Sequence, residues 1–164
     1  MTNKNIVPKR PVLEEIGNSI THGVGSIFSI VSLILMLVLS ESVNECIAAI
    51  IYFLGMFILF TMSCLYHAFK HGSKVKSLFR RFDYSSIYLL IGATYAPILL
   101  CYFNTTPSLI YFIIQWSLIA LGITFIGVFG PGRFSWLHFT LYFVIGWSGL
   151  LFLPIMIQKD FGFF

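Results

Sequence analysis

Five apolar runs, each long enough to cross a bilayer, set the terms for any fold this chain can adopt. A spanning helix needs about 20 mostly apolar residues, and roughly 19–39, 46–69, 84–103, 108–129 and 136–157 each supply that. Short polar breaks separate them: Ser40 to Glu45, Lys70 to Asp83, Asn104 to Pro107, and Gly130 to Arg133. Only 10% of the 164 residues are charged, against 58% that are apolar. A soluble domain carries about 25% charge, so too few charged residues are present to cover a globule. An ordinary soluble enzyme, a disordered chain and a nucleic-acid binder are excluded. The fold class expected is all-α: a polytopic transmembrane helix bundle over residues 19–157, after a segment 1–18 and before a tail 158–164.

Lys4, Lys9 and Arg10 ahead of the first run resemble the start of a signal peptide. The run is too long for that and no small-x-small cleavage site follows, so it reads as a retained helix. Three cysteines, Cys46, Cys64 and Cys101, lie in apolar stretches without CxxC spacing, which argues against a disulfide framework or a cysteine zinc site.

Counting Lys and Arg by side gives an orientation. Lys4, Lys9 and Arg10 precede the first run, Lys70, Lys74, Lys76, Arg80 and Arg81 lie in the second break, and Arg133 lies in the fourth. All of these share one face, and Lys159 alone stands on the other. The positive-inside rule then places the N-terminus in the cytoplasm and the last crossing outward, in a multi-pass protein of the cell membrane. Topology accounts for the basic second break without a nucleic-acid partner.

An ionisable group in a membrane helix marks a functional site by default. On this topology His22 starts the first helix, His67 ends the second, Asp83 opens the third and His138 opens the fifth, all at the cytoplasmic face. Ser63 and His67 are four apart and share a helical face, with Ser63 one turn deeper. Imidazole is a zinc ligand, a nearby hydroxyl can hold a water or substrate oxygen, and a carboxylate can steer that water. The same spacing also suits an interfacial His–Asp pair bonded to itself or to headgroups. His71 repeats the four-residue spacing from His67, but Gly72 follows it, and a histidine at a helix C-terminus is favoured by the dipole alone. His138 beside Trp136 reads as an interface anchor. Pro97 within the third run must kink or loosen that helix, and glycines such as Gly92, Gly122 and Gly146 allow close helix approach.

Four segments together resemble the hemolysin III family, the bacterial branch of the progestin and adipoQ receptor superfamily. They are Glu14-Glu15-Ile16-Gly17-Asn18-Ser19-Ile20-Thr21-His22-Gly23, then Ser63-x-x-x-His67-x-Phe69, then Arg81-Phe82-Asp83-Tyr84-Ser85-Ser86-Ile87-Tyr88 with Gly92-Ala93-Thr94-Tyr95-Ala96-Pro97, and Gly146-Trp147-Ser148-Gly149. They occur in order on the first, second, third and fifth helices. The resemblance implies a seven-helix fold, of which five helices are present, with a zinc site near the cytoplasmic face. His67 matches the second-helix zinc ligand, and Ser63 and Asp83 match its polar partners. The family's two further ligands are expected in a His-x-x-x-His motif on the seventh helix. No histidine follows His138 here, so the chain reads as C-terminally truncated by two helices.

The family name implies haemolysis by pores, for which short chains would assemble as homo-oligomers in membrane lipid. The wider superfamily implies instead a zinc-dependent hydrolase of lipid amides or esters. In that case His67 holds the metal, Asp83 steers water and Ser63 positions oxygen. A third reading is an inactive remnant, or a scaffold that works with another chain.

Overall fold

The structure is a computed structural model and describes residues 7–103 and 105–161, with side chains as far as 158. Lys4, the side chain of Lys159 and the end of the predicted tail lie outside the described residues. Helix α1 covers Val12–Leu39, α2 Val43–Ala68, α3 Lys74–Pro97, α4 Thr106–Phe129, α5 Ser135–Trp147 and α6 Leu153–Phe161. A π-helical stretch, Ile98–Phe103, prolongs α3, and a 3₁₀ stretch, Ser148–Phe152, joins α5 to α6. Five continuous helical segments are long and apolar enough to cross a membrane, the last running Ser135–Gln158. The fold is therefore an all-helical polytopic bundle, with no strand among the described residues.

Helices α1 and α3 begin well before their apolar runs. Helix α1 starts at Val12, directly after Pro11, with Glu14 and Glu15 in its first turn, where acidic groups favour the helix dipole. Helix α3 starts at Lys74, and the hydroxyl of Ser73 caps it by accepting from the Lys76 amide at 3.1 Å. The basic residues assigned to a break are thus helical, because lysine and arginine are good helix formers even where they end an apolar window. Consequently Asp83 does not open α3 and His22 does not start α1. Both sit well inside their helices.

Pro97 ends the regular part of α3. Its missing N–H and its ring disturb the preceding turn, and the chain continues as the wider π-helix.

Small residues set the packing. A Cβ on Gly55 of α2 would come within 2.5 Å of Ala93 on α3, so these two helices meet at near-backbone distance, and one on Gly122 of α4 would come within 2.4 Å of the Tyr88 ring, which lies flat in the space the glycine leaves. Tyr88, Ile119, Ile126 and Ile145 form the core shared by α3, α4 and α5. Tyr95 ties α3 to the end of α5 by donating to the Gly146 carbonyl at 2.6 Å and accepting from the Gly149 amide at 2.8 Å. Helix α1 packs mainly on α2, through a polar seam that includes Ser26–Thr61 at 2.6 Å.

Candidate functional site

The antiparallel order of α1, α2 and α3 brings the start of α1, the end of α2 and the first half of α3 to one end of the bundle. A cleft of about 320 Å³ opens there, lined by Arg10, His22, Ser63, His67, Asp83 and Tyr84 among others. Ser63 and His67 project from α2 on the expected shared face and are both buried. Ser63 of α2 and Asp83 of α3 line the cleft together, with the Ser63 side chain beside the Asp83 carboxylate. The His22 ring meets the His67 ring edge to face, centroids 5.9 Å apart, and the Nδ1 of His22 is buried without a hydrogen-bond partner among the described residues.

His67 is held by a residue that the sequence reading did not single out. Its Nδ1 lies 2.6 Å from Oε2 of Glu15, in the first turn of α1. The other carboxylate oxygen, Oε1, lies 3.1 Å from Nζ of Lys76. Lys76 is only 1% exposed, and its ammonium also donates to the Tyr66 carbonyl at 2.9 Å and the His67 carbonyl at 3.4 Å. It sits 4.8 Å above the Tyr66 ring as well. Those two carbonyls belong to the last turn of α2, where the helix dipole favours a cation. Lys76 therefore caps α2, neutralises Glu15 and so fixes the imidazole that ends the helix. Outside the membrane-spanning helices, hydrogen bonding to Glu14 holds the Arg10 guanidinium above its ordinary pKa.

A signal for Glu15 was present. Glu15, Ser19, His22, Ser26 and Ser29 recur at helical spacing through an otherwise apolar helix, and such a stripe marks the inward face. Lys76 had no comparable signal, since nothing local separates it from its neighbour Lys74.

Two other histidines depart from expectation. Helix α2 ends at Ala68, so His71 does not continue its face; it stands in the turn, with Nε2 3.1 Å from the Val7 carbonyl. His138 is not an interface anchor but is 1% exposed, with Nδ1 3.2 Å from the Tyr88 hydroxyl. Trp136, 68% exposed, does face outward. Two residues further on, an α-helix has turned by about 200°, which points His138 into the core.

As for a metal, no group of three or more His, Cys, Asp or Glu side chains converges among the described residues. His67 has the form of a ligand, because a carboxylate on Nδ1 fixes the tautomer and leaves Nε2 as the donor atom. His22 and Asp83 line the same cleft. These residues fit part of a zinc shell and do not close one.

A family model described as "Haemolysin-III related" matches residues 11–162, nearly the whole described bundle. The chain belongs to the hemolysin III family. It is 37% identical over 150 residues to "Hemolysin-3" of Bacillus cereus, covering 90% of this chain and 68% of that protein. It is 34% identical over 139 residues to the "Hemolysin-3 homolog" of Bacillus subtilis (strain 168), covering 83% of this chain and 64% of that one. The chain thus spans about two thirds of the length of these hemolysin III relatives.

Proposed function

We propose that this hemolysin III chain carries the chain-borne half of a zinc-dependent hydrolase of lipid amides or esters, with the cleft at the cytoplasmic face. The observation that carries the reading is the Glu15–His67 contact at 2.6 Å, beside the Ser63–Asp83 pair in one cleft. The orientation rests on the charge asymmetry, since Lys9, Arg10, Lys70, Lys74, Lys76, Arg80, Arg81 and Arg133 gather at that end.

Bound zinc would polarise a carbonyl and lower the pKa of water at the cleft. The chain's own residues supply the rest. Glu15 keeps the Nδ1 proton of His67 in place and presents Nε2 as the donor. Asp83 accepts a proton from the water that attacks the lipid carbonyl, and the Ser63 hydroxyl keeps the carboxylate turned toward the cleft. The carbon–nitrogen or carbon–oxygen bond then breaks, and Asp83 returns the proton to the departing amine or alcohol. His22 stands beside His67 with a free Nδ1 as a further donor. The remaining ligands come from a second copy of the chain.

Zinc analysis of detergent-purified protein, wild type beside His67→Ala, tests this. Zinc near one per chain in the wild type and absent in the variant is expected. Zinc retained equally by both, or by neither, overturns the reading.

The relatives' names suggest a second reading, lysis, which here would need copies of the chain to assemble, and one observation favours it. Only 6% of the most apolar window of α1 is buried within the chain, which leaves Ile27, Val31 and Ile34 among the residues open to lipid or to another copy. Release of dye from liposomes that is unchanged in His67→Ala would support it. Leakage equal to protein-free liposomes would end it.

A further inference from the structure

A second cleft, of about 490 Å³, lies against the same histidine and is lined by Lys9, Lys70 and His71 together with Val12, Ile16 and Ile20. Its volume falls in the range of small-molecule sites. The charges in it do not cancel. Arg10 is paired with Glu14 and Lys76 with Glu15, which consumes both carboxylates near the cleft. Lys9 and Lys70 are exposed and form no ion pair among the described residues. His71 adds a ring whose Nε2 is engaged by the Val7 carbonyl, so the surplus is that of the two lysines.

The apolar side of the cleft is equally open. Ile16 is 49% exposed and Ile20 61%, and Val24, four residues on, is 45% exposed. At four-residue spacing these side chains form one ridge along α1, leading from the basic end toward the middle of the helix. A small inorganic anion would leave this ridge unused, and a zwitterionic headgroup would bring its own cation against the lysines.

We propose that this cleft binds an anionic phospholipid, its phosphate between Lys9 and Lys70 and one acyl chain along Ile16, Ile20 and Val24. Juxtamembrane lysines attract anionic lipid by about fivefold each, so the pair sets a preference of about twenty-five-fold over a zwitterionic lipid. The binding does not depend on zinc or on hydrolysis at His67.

The test is native mass spectrometry of the whole chain released from detergent with equimolar dioleoylphosphatidylglycerol and dioleoylphosphatidylcholine. Preferential retention of the phosphatidylglycerol is expected, with Lys9→Gln/Lys70→Gln bringing it down to the phosphatidylcholine level. The control Lys74→Gln/Arg133→Gln removes equal charge outside the cleft and is expected to retain the preference. Ile16→Ser, which keeps both lysines, is expected to weaken retention of both lipids. Three results would each overturn the proposal: equal retention of the two lipids by the wild type, an equal loss in the control pair, or full displacement of the lipid by millimolar inorganic phosphate.

Discussion

Two buried histidines at the same end of this bundle have opposite surroundings. His67 is 8% exposed and enters a chain of charges, Glu15 on one side and Lys76 behind it. His138 is 1% exposed, and its polar partner among the described residues is the hydroxyl of Tyr88, whose ring it also meets edge on and which packs in turn against Tyr142. Burial alone therefore does not tell the two histidines apart. A ring clamped by a carboxylate has one tautomer and one free donor, whereas a ring against a phenol in an apolar core is packing with a hydrogen bond. The α1–α3 end is organised by charge, and the α3–α5 core by shape.

The sharpest way to break this contrast is to remove Glu15. Glu15→Ala leaves Lys76 buried without its counter-charge, and breaking a buried pair costs about 3–5 kcal/mol. A fall in stability of that size is expected in a detergent unfolding assay, together with loss of zinc. The double variant Glu15→Leu/Lys76→Met is expected to recover most of the stability, since apolar replacement of a buried pair is often neutral, but not the zinc. Recovery of both would mean that the charges hold the helices and have no part in presenting His67.

Asp83→Asn keeps the size of the side chain and removes the base. Hydrolysis of a lipid amide is expected to fall by about 10²–10⁴-fold, the range for a lost general base, while bound zinc and stability stay near wild type. If zinc leaves with Asp83, the residue belongs to the donor set and not to the proton path.

His138→Leu is the matched change on the other side of the comparison. It leaves the Tyr88 hydroxyl buried without its partner, at a cost of about 1–3 kcal/mol, and zinc content is expected to be unaltered. A loss of zinc in this variant would erase the distinction between the two histidines.

The contrast also explains which parts were legible in the sequence. The five crossings could be read because apolar length is a local property. The start of α3 could not be read from hydropathy, because Lys74 to Arg81 are polar yet helical; Ser73 as a cap was the available signal. Ser63, His67 and Asp83 line one cleft, and the family-like motifs had named all three. Glu15 lay on a polar stripe that periodicity exposes, but its contact with His67 joins residues 52 apart in sequence. Lys76 depends wholly on how α1 meets the turn between α2 and α3, and local sequence does not encode that meeting. Trp136 is a poor guide to His138, because neighbours two apart on a helix face opposite ways.

The smallest expected effect bears on how far the charged end extends. Below Glu15 the stripe on α1 continues as Ser19, which donates to the Cys64 carbonyl at 3.1 Å, and Ser26, 2.6 Å from the Thr61 hydroxyl. Polar contacts of this kind within a membrane average about 0.6 kcal/mol, because the separated helices find other partners. Ser29 already donates to the Ser26 carbonyl at 2.6 Å, an example of such a local partner. A double-mutant cycle with Ser26→Ala and Thr61→Val is therefore expected to give a coupling near that average, read from unfolding in mixed detergent. A coupling several times larger would join Ser26 to Glu15 in one cooperative polar seam. The boundary drawn between a charged end and an apolar bundle would then move down α1 by about three turns, and His22, which lies between them, would belong to the interior of that seam.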